Sequence, residues 1–286
     1  MRITRTFLAI ATVAFSYAWL LVLSNLPVLA DQIWAQRYDG PGHGDDHAIG
    51  DGHLVWEQRY VSPDHGDDIA TAIAVDSAGN VVVTGHSVSP TGYTEAYTAM
   101  YRAADGHLLW EKHGPAIASI NYPTINSSRD ADRVTVDGAD NVVLAVTASD
   151  GSFYTAKYGA VTGTLLWDSH DVVPIHCSIC YGLVWVAGLT VDTSRNVIVT
   201  GTSYHGDYPG NADFYTAKYD ALDGHLIWQQ RYDGPNILWD EPSGVAVDSA
   251  GNVIVTGSSV DYSIPDYLSA SFFYTAKYAA SDGSLI

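Results

Sequence analysis

The sequence predicts an all-β fold in which a unit of four short antiparallel strands occurs about four times. The first observation is a hexapeptide, Phe-Tyr-Thr-Ala-Lys-Tyr, whose three copies and one weaker variant stand at 153–158, 214–219, 273–278 and 96–101. The second is a tryptophan that follows a turn in each repeat: Trp56, Trp110, Trp167 and Trp228, spaced 54 to 61 residues apart. This period is too long for helical-hairpin repeats and fits one blade of a β-propeller.

The third repeat displays the four expected strands most clearly. They are short runs rich in β-branched or aromatic residues, at 188–192, 196–201, 214–220 and 225–232. Gly, Asp, Asn or Pro bounds each run, as is typical of strands. No run in the repeat has a helical period over ten residues, so we expect a blade without helices.

Similar turns join the strands in every repeat. Asp begins and Asn ends the turns between the first and second strands, at 76–80, 137–141, 192–196 and 248–252. A glycine closes the turns between the third and fourth strands, at Gly106, Gly163, Gly224 and Gly283. We interpret these aspartates as turn caps. Calcium ligation is the weaker interpretation, because the turns offer no further carboxylates at ligand spacing.

The N-terminal segment has the pattern of a signal peptide. Arg2 and Arg5 precede an apolar run at 7–23, and small residues at 28–30 precede Asp31. We therefore expect a signal peptide at 1–30 and a propeller domain at 31–286. An uncleaved membrane anchor is the alternative. After cleavage we expect no stable membrane span, and we expect the protein to be secreted, periplasmic or on the cell surface.

The repeats divide the domain at roughly 61–113, 114–171, 172–232 and 233–286, and partial copies occupy 33–60. Two fourth-strand copies, at 33–38 and 54–60, stand only 22 residues apart, and the last repeat stops within its fourth strand. Pairing of the two ends would close a ring. The alternative is a truncated fragment of a longer gene, whose open sheet edges would favour self-association.

Composition excludes one large class of function. The chain of 286 residues has 13 basic and 32 acidic side chains and a net charge of −19. We therefore expect no nucleic-acid partner, because nucleic-acid binding needs a basic face. At 47% hydrophobic, the chain can bury a large core.

The repeat resembles that of the bacterial SBBP repeat family, most closely over 214–257. The matching pieces are Tyr-Thr-Ala-Lys-Tyr, Asp-Gly, Leu-Ile-Trp, Arg-Tyr-Asp-Gly-Pro and Val-Ala-Val-Asp-Ser-Ala-Gly-Asn-Val-Ile-Val-Thr-Gly. The resemblance extends from Ile33 to the C-terminus. It implies a β-propeller and gives no catalytic residue. The piece at 160–167 resembles, more weakly, the tryptophan-docking repeat of quinoprotein dehydrogenases, which have eight blades.

Binding residues are expected on the face formed by second-to-third loops and inter-blade links, because these segments differ between repeats. Aromatic side chains outside the repeat pattern are the candidate ligand contacts: Tyr93, Trp185, Tyr204, Tyr208, Trp239, Tyr262 and Tyr267. The alternative is that these aromatic residues cover the end of the propeller. No catalytic residue is identified.

Histidine and aspartate in the same loops suggest a divalent metal, with candidate ligands His65, Asp67, His86, His205 and Asp207. However, Asp68 and Asp240 each stand eight residues before a turn aspartate, which indicates a structural cap. Cys177 and Cys180 are expected to form a local disulfide.

We therefore expect an exported, non-catalytic scaffold or recognition module that binds a glycan, peptide or protein. The alternatives are a propeller enzyme (hydrolase, lyase or quinoprotein-like oxidoreductase) with a metal in the His/Asp loops, and a fragment without independent function. No cofactor is required by the sequence. Convergence of the five candidate metal ligands would favour the enzyme.

Overall fold

The computed structural model describes residues 55–62, 68–88, 94–117, 132–148, 151–171, 185–204, 212–234, 239–261 and 270–286. The chain divides into two units, Met1–Glu57 and Gln58–Ile286, and every strand below belongs to the second. Within the described ranges there is no helix long and apolar enough to cross a membrane.

The described strands form four antiparallel sheets, which we number as blades 1 to 4. Blade 1 contains β1 (Ile69–Val75), β2 (Val81–Val88), β3 (Thr94–Tyr101) and β4 (Leu108–Ala116). Blade 2 contains β5 (Arg133–Val136), β6 (Val142–Thr147), β7 (Phe153–Tyr158) and β8 (Leu165–Asp171). Blade 3 contains β9 (Val186–Val191), β10 (Val197–Tyr204), β11 (Ala212–Tyr219) and β12 (Leu226–Tyr232). Blade 4 contains β13 (Asp240–Val247), β14 (Val253–Asp261) and β15 (Ala270–Tyr278).

Each sheet runs in sequence order, so every strand pairs with its neighbour along the chain. This up-and-down topology confirms the predicted β-propeller architecture. The four strands expected in the third repeat are all present, with bounds that differ by at most three residues. In blade 4 a bridge between Tyr278 and Leu285 begins the fourth strand.

Residues 55–62 form no strand, although 54–60 matches the fourth strand of a blade in sequence. A fourth strand needs the edge of a third strand for its backbone hydrogen bonds. Among the described residues no strand pairs with this segment, so the expected strand is not formed there.

The blades pack in order through their first strands, β1 on β5, β5 on β9 and β9 on β13. The core consists of clusters that join neighbouring blades rather than fill single sheets. Phe153 of blade 2 is fully buried against the Tyr215 ring of blade 3. Phe214 lies over Gly257 of blade 4, where an added Cβ would stand 2.6 Å from its ring. The hexapeptide phenylalanine is therefore an inter-blade contact.

The repeated tryptophans also connect successive blades. The indole N–H groups of Trp110, Trp167 and Trp228 donate to carbonyl oxygens of the next blade: Ala160, Ala221 and Ala280. The Trp167 ring covers Gly224, whose φ of +71° favours glycine. Each tryptophan thus fixes the turn of the following blade.

Ion pairs close the turn aspartates into the fold. The ammonium group of Lys218 lies 2.9 Å from the carboxylate of Asp192, and both side chains are nearly buried. Lys218 also donates to the carbonyl oxygen of Ala280 in blade 4 at 3.0 Å. The other Asp192 oxygen accepts the backbone N–H groups of Ser194 and Asn196. Lys157 and Asp137 form the same pair in blade 2. These contacts support the interpretation of the turn aspartates as structural residues and indicate a structural role for the lysines as well.

Candidate functional site

The two ends of the blade stack have different connections. In blade 3 the side-chain oxygen of Asn196 accepts the N–H of Ala221, which brings the first-to-second and third-to-fourth turns together. We call this the turn end. The opposite end, where β10 and β12 finish and β11 and β13 begin, is the loop end. The loop end is the face on which the sequence predicts binding.

Most of the candidate aromatic residues lie outside the described residues: Tyr93, Tyr208, Tyr262 and Tyr267. Tyr204 ends β10, and its side chain is outside the description. The aromatic contact surface as a whole therefore stays a prediction.

Trp185 and Trp239 are the two described members of the aromatic set, and both are half-buried at the loop end. Trp239 bridges to Ala212 and packs against the core between blades 2 and 3. The carbonyl of Trp185 accepts the N–H of Thr202 at 3.0 Å. The packing of Trp239 favours a structural role in covering the core over a role as an exposed ligand anchor, whereas the ligand contact of Trp185 stays a prediction.

Of the five predicted metal ligands, only His86 is among the described residues, so their convergence is not tested. His86 lies near the end of β2, opposite Ile69 and Ala96 in the sheet register. The other four, and the cysteine pair, lie outside the description: His65, Asp67, His205, Asp207, Cys177 and Cys180. Their convergence and the disulfide stay predictions.

The structure instead brings together three aspartates at the loop end of blades 3 and 4. Asp213 is the second residue of β11, Asp233 follows β12, and Asp240 begins β13. One carboxylate oxygen from each lies within 4.8 Å of the others. Asp213 and Asp240 are 0% exposed, whereas Asp233 is exposed. The cluster is therefore a buried acidic site with one ligand group on its solvent side.

Asp240 is held firmly in this position. Its Oδ2 accepts the N–H of Gly234 at 2.5 Å, and the Ser259 hydroxyl and the Val260 N–H also donate to its carboxylate. An added Cβ on Gly234 would stand 2.6 Å from Oδ2 and 2.7 Å from Oδ1. The close approach of this carboxylate therefore requires glycine at position 234.

Two oxygens of the cluster lack a donor. Oδ1 of Asp213 and Oδ1 of Asp240 are buried and accept no hydrogen bond within the described part of the chain. Asp213 has a charged neighbour, since Nη1 of Arg231 lies 3.4 Å from its Oδ2. One guanidinium faces three carboxylates, so the ionised cluster has an excess of about two negative charges.

Burial and this crowding act on the acidity of the site. Burial, followed by the charge of Asp233, raises the pKa of Asp213 to about 7, although Arg231 opposes the rise. Burial also raises the pKa of Asp240. Without a cation, Asp213 is therefore partly protonated near neutral pH, because full ionisation of the cluster needs more positive charge than Arg231 supplies.

The equivalent position in blade 1 provides a comparison. Asp68 accepts the N–H of Ser62 and the hydroxyl of Ser87, both at 2.7 Å, one at each oxygen. The residue equivalent to Asp233 is Val61, so this position supplies no carboxylate in blade 1. The structural cap expected from the sequence is therefore found at Asp68. At Asp240 the same position also belongs to an acidic cluster.

Sequence reasoning missed this cluster because its members stand in three elements. A signal was available: Asp213 directly precedes the hexapeptide phenylalanine, where other repeats have Glu95, Ser152 or Phe272. Departures from a repeat at positions that converge at one end of a blade are the pattern that would have found it.

A second acidic group lies at the turn end of blade 3. Asp220, Asp223 and His225 place ligand atoms within 4.8 Å, but Asp223 and His225 are exposed. Asp223 Oδ1 accepts the backbone N–H of His225, and Asp220 Oδ1 accepts that of Leu222. The local turn accounts for this group, which makes it a matched control for the loop-end cluster.

Comparisons with known proteins concern the fold. No protein-family model and no curated protein matches the chain. Similar solved structures include a quinohemoprotein alcohol dehydrogenase of Pseudomonas putida HK5, at 15% identity and a TM-score of 0.46, covering 73% of this chain and 32% of that one. The chain thus spans about a third of that enzyme's length.

Two further structures cover larger shares of their own chains. A putative exo-β-1,3-galactanase of Bifidobacterium bifidum s17 is 13% identical, with a TM-score of 0.38 and coverage of 84% of this chain and 78% of that one. BamB of Moraxella catarrhalis is 10% identical, with a TM-score of 0.29 and coverage of 77% and 80%. The strand order and blade packing of the chain itself make it a β-propeller repeat protein.

Proposed function

We propose that the protein is an exported, non-catalytic recognition module of the SBBP repeat kind, which binds a glycan, peptide or protein at its loop end. We also propose that a hard divalent cation, held by Asp213, Asp233 and Asp240, forms part of that binding face. The observation that carries this proposal is the pair of buried carboxylate oxygens at the loop end that have no donor among the described residues.

The chemistry of the cluster favours a calcium-like ion. Carboxylate oxygens are the donors that hard divalent cations prefer, and Ca²⁺ accepts irregular sets that water completes. A divalent charge would offset the excess of about two negative charges that Arg231 leaves. Without a cation, burying these charges is costly, since unpaired buried carboxylates are strongly unfavourable.

The position of the cluster connects a cation to recognition. Asp213 and Asp240 stand two residues after the ends of the non-repeated segments 205–211 and 235–238. A bound cation would join the start of β11 to the start of β13 and so fix the points to which these segments are attached. Loops on a rigid scaffold are the usual location of binding residues in repeat folds.

Thermal unfolding in calcium and in EDTA tests the cation site. For the full chain, calcium at about 100 times its dissociation constant is expected to raise the unfolding temperature by roughly 5 to 10 °C. Asp233→Asn should remove most of this shift, because Asp233 supplies a ligand oxygen but is exposed and contributes little to packing. The expected result locates the cation in the loop-end cluster.

Asp223→Asn is the matched control, since Asp223 belongs to the exposed acidic group of the turn end. It should leave the calcium shift unchanged. The cation proposal is contradicted by a calcium shift that survives Asp233→Asn, or by an unfolding temperature that calcium does not change.

Recognition is tested separately with defined probes. Labelled protein applied to arrays of glycans and of peptides should bind a restricted group of spots, and binding should weaken in EDTA. Binding of the Asp233→Asn variant to the same spots in calcium should be weakened as much as wild-type binding is in EDTA. Binding to no spot, or equal binding to all spots, would contradict the proposed recognition function while leaving the cation result intact.

A further inference from the structure

The hexapeptide phenylalanine has different surroundings in the last blade. Phe153 and Phe214 are 0% and 2% exposed because each lies against the following blade, whereas Phe273 is 98% exposed. The same face of blade 4 exposes Thr256 and Thr275. Blade 4 therefore presents an inter-blade contact surface that no other described blade covers.

The lysine of the hexapeptide supports this view. Lys218 contacts Asp192 and a carbonyl of the next blade, and both members of the ion pair are under 5% exposed. Lys277 forms the equivalent pair with Asp248 at 2.8 Å, but the side chains are 43% and 28% exposed. The face of blade 4 thus carries the side chains of an inter-blade contact without the partner that buries them.

Blade 1 has the opposite feature. Tyr60 stacks on Tyr97 with ring centroids 4.0 Å apart, as Tyr232 of blade 3 stacks on Tyr274 of blade 4 at 3.5 Å. In sequence, 54–60 (Leu-Val-Trp-Glu-Gln-Arg-Tyr) matches 226–232 (Leu-Ile-Trp-Gln-Gln-Arg-Tyr). Residues 58–60 therefore lie beside blade 1 where the fourth strand of a preceding blade would lie.

These two features are complementary halves of one blade. Among the described residues, blade 4 has three strands, and contacts of Leu285 and Ile286 begin a fourth. The segment at 58–60 matches the outer part of a fourth strand in sequence, and no described strand pairs with it. The described part of each half thus matches what the described part of the other does not contain.

The side chains also match at the contact. At the junction of blades 3 and 4, Phe214 packs against Tyr232 and Tyr274 and lies over Gly257. The equivalent residues beside blade 1 are Tyr60, Tyr97 and Gly85. Gly85 also accommodates the β1 backbone, as Gly257 does that of β13. The three atoms nearest to a Cβ added at Gly85 all belong to the β1 backbone, whereas those at Gly257 include the Phe214 ring. A phenylalanine is therefore the member that these nearest contacts do not include.

We propose that blade 4 of one copy of the chain joins the segment 58–60 of a second copy to form one shared blade. Phe273 of the first copy then packs against the second copy's Tyr60 and Tyr97, over the second copy's Gly85. A second copy is the partner because β13 and β1 of one chain show no packing comparable to that of neighbouring blades in the described structure.

The contact is heterologous, since one copy contributes the face of blade 4 and the other the face of blade 1. Two copies related by a two-fold axis use both faces twice and close a ring. We therefore expect a dimer, which leaves no blade face exposed.

The solution mass of the full chain tests the proposal. Size-exclusion chromatography with light scattering should give a dimer for the wild type and a monomer for Phe273→Glu, which places a charge in the shared blade. Leu222→Glu is the matched control, because Leu222 is an exposed apolar residue, 79% accessible, in a turn away from both end faces. It should remain a dimer. A monomeric wild type, or a dimer that survives Phe273→Glu, overturns the proposal.

A crosslink gives a second test that does not depend on disrupting the contact. Phe214 and Tyr232 are direct partners in the sheet register of blade 3. Their equivalents, Phe273 of one copy and Tyr60 of the other, should stand at a distance that a disulfide can span. The double variant Phe273→Cys with Tyr60→Cys should therefore form a reducible dimer on a denaturing gel.

Each single variant is the control for links through Cys177 or Cys180, and neither should give the same dimer band. Peptide mapping should identify the link between positions 60 and 273. A link formed within one chain would show that the chain closes on itself, and the absence of any link would show that the two halves do not meet. Either result overturns the shared blade.

Discussion

The turn end and the loop end of the propeller treat buried carboxylates differently. At the turn end, Asp192 is nearly buried and both of its oxygens accept hydrogen bonds, one of them with the ammonium of Lys218. At the loop end, Asp213 and Asp240 are fully buried and each leaves one oxygen without a donor among the described residues. Residues that recur in every repeat form the turn end, where the carboxylate oxygens have hydrogen-bond donors. Residues that depart from the repeat form the loop end, where two carboxylate oxygens have no described donor, and function is expected there.

The largest expected loss of stability comes from removing a buried ion pair at the turn end. Lys218→Met leaves Asp192 as an uncompensated buried charge, which should lower the free energy of unfolding by about 3 to 5 kcal/mol. Chemical denaturation monitored by tryptophan fluorescence measures this change. The substitution is made in a Phe273→Glu background. This background is expected to be monomeric, so no second copy covers blade 4 during the measurement.

Lys277→Met in the same Phe273→Glu background is the matched control. Its ion pair is partly exposed, so the expected loss is under about 1 kcal/mol. Equal losses at Lys218 and Lys277 would show that burial does not set the strength of these repeated ion pairs.

A smaller effect is expected from the glycine under a repeated tryptophan. Gly224→Ala places a Cβ about 2.5 Å from the Trp167 ring, at a φ of +71° that disfavours alanine. We expect a loss of roughly 2 kcal/mol in the free energy of unfolding. Thermal or chemical unfolding measures it.

Gly138→Ala is the control for this substitution, because nothing lies within 4 Å of an added Cβ and the glycine has no positive φ. It should change the free energy of unfolding by about 0.5 kcal/mol or less. A larger loss at position 138 than at position 224 would contradict the packing of tryptophan on the neighbouring blade.

A further prediction concerns the pH dependence of stability and tests the burial of Asp213 at the loop end. Asp213 has a pKa of about 7 in the folded protein and about 3.9 when unfolded. Between these values the folded chain retains a proton that the unfolded chain has lost, so stability should fall as pH rises from about 4 to 7. Asp213→Asn should reduce this slope when unfolding is measured in EDTA. Asp223→Asn, at an exposed site, should not, and equal slopes for the three proteins would contradict the burial of Asp213.

The architecture was predictable because it depends on local, repeated chemistry. The strands around the hexapeptide, the Asp-to-Asn turns and the glycine turns all follow from residues close together in sequence, and the strands of blade 3 agree with them. The turn aspartates were likewise correctly interpreted as structural, since their partners stand four residues away.

The candidate site was not predictable in the same way. Asp213 and Asp233 are neighbours across the pairing of β11 with β12, but Asp240 joins them only because blade 3 packs on blade 4, a distance that no sequence spacing encodes. The equivalence of Asp240 with Asp68 predicted a structural cap at Asp240, but it did not predict that Asp240 also belongs to an acidic cluster. Phe273 shows a similar limit. Its hexapeptide is identical to that of the buried Phe214, but no described blade packs against Phe273, which is exposed.

Isothermal titration of calcium into the full chain tests the central claim, that the loop end holds an unsatisfied site, most directly. The account predicts one calcium ion per chain for the wild type and for Asp223→Asn, with binding lost in Asp213→Asn and in Asp233→Asn. Calcium binding that persists in both loop-end variants, or a wild type that binds no calcium, would contradict it.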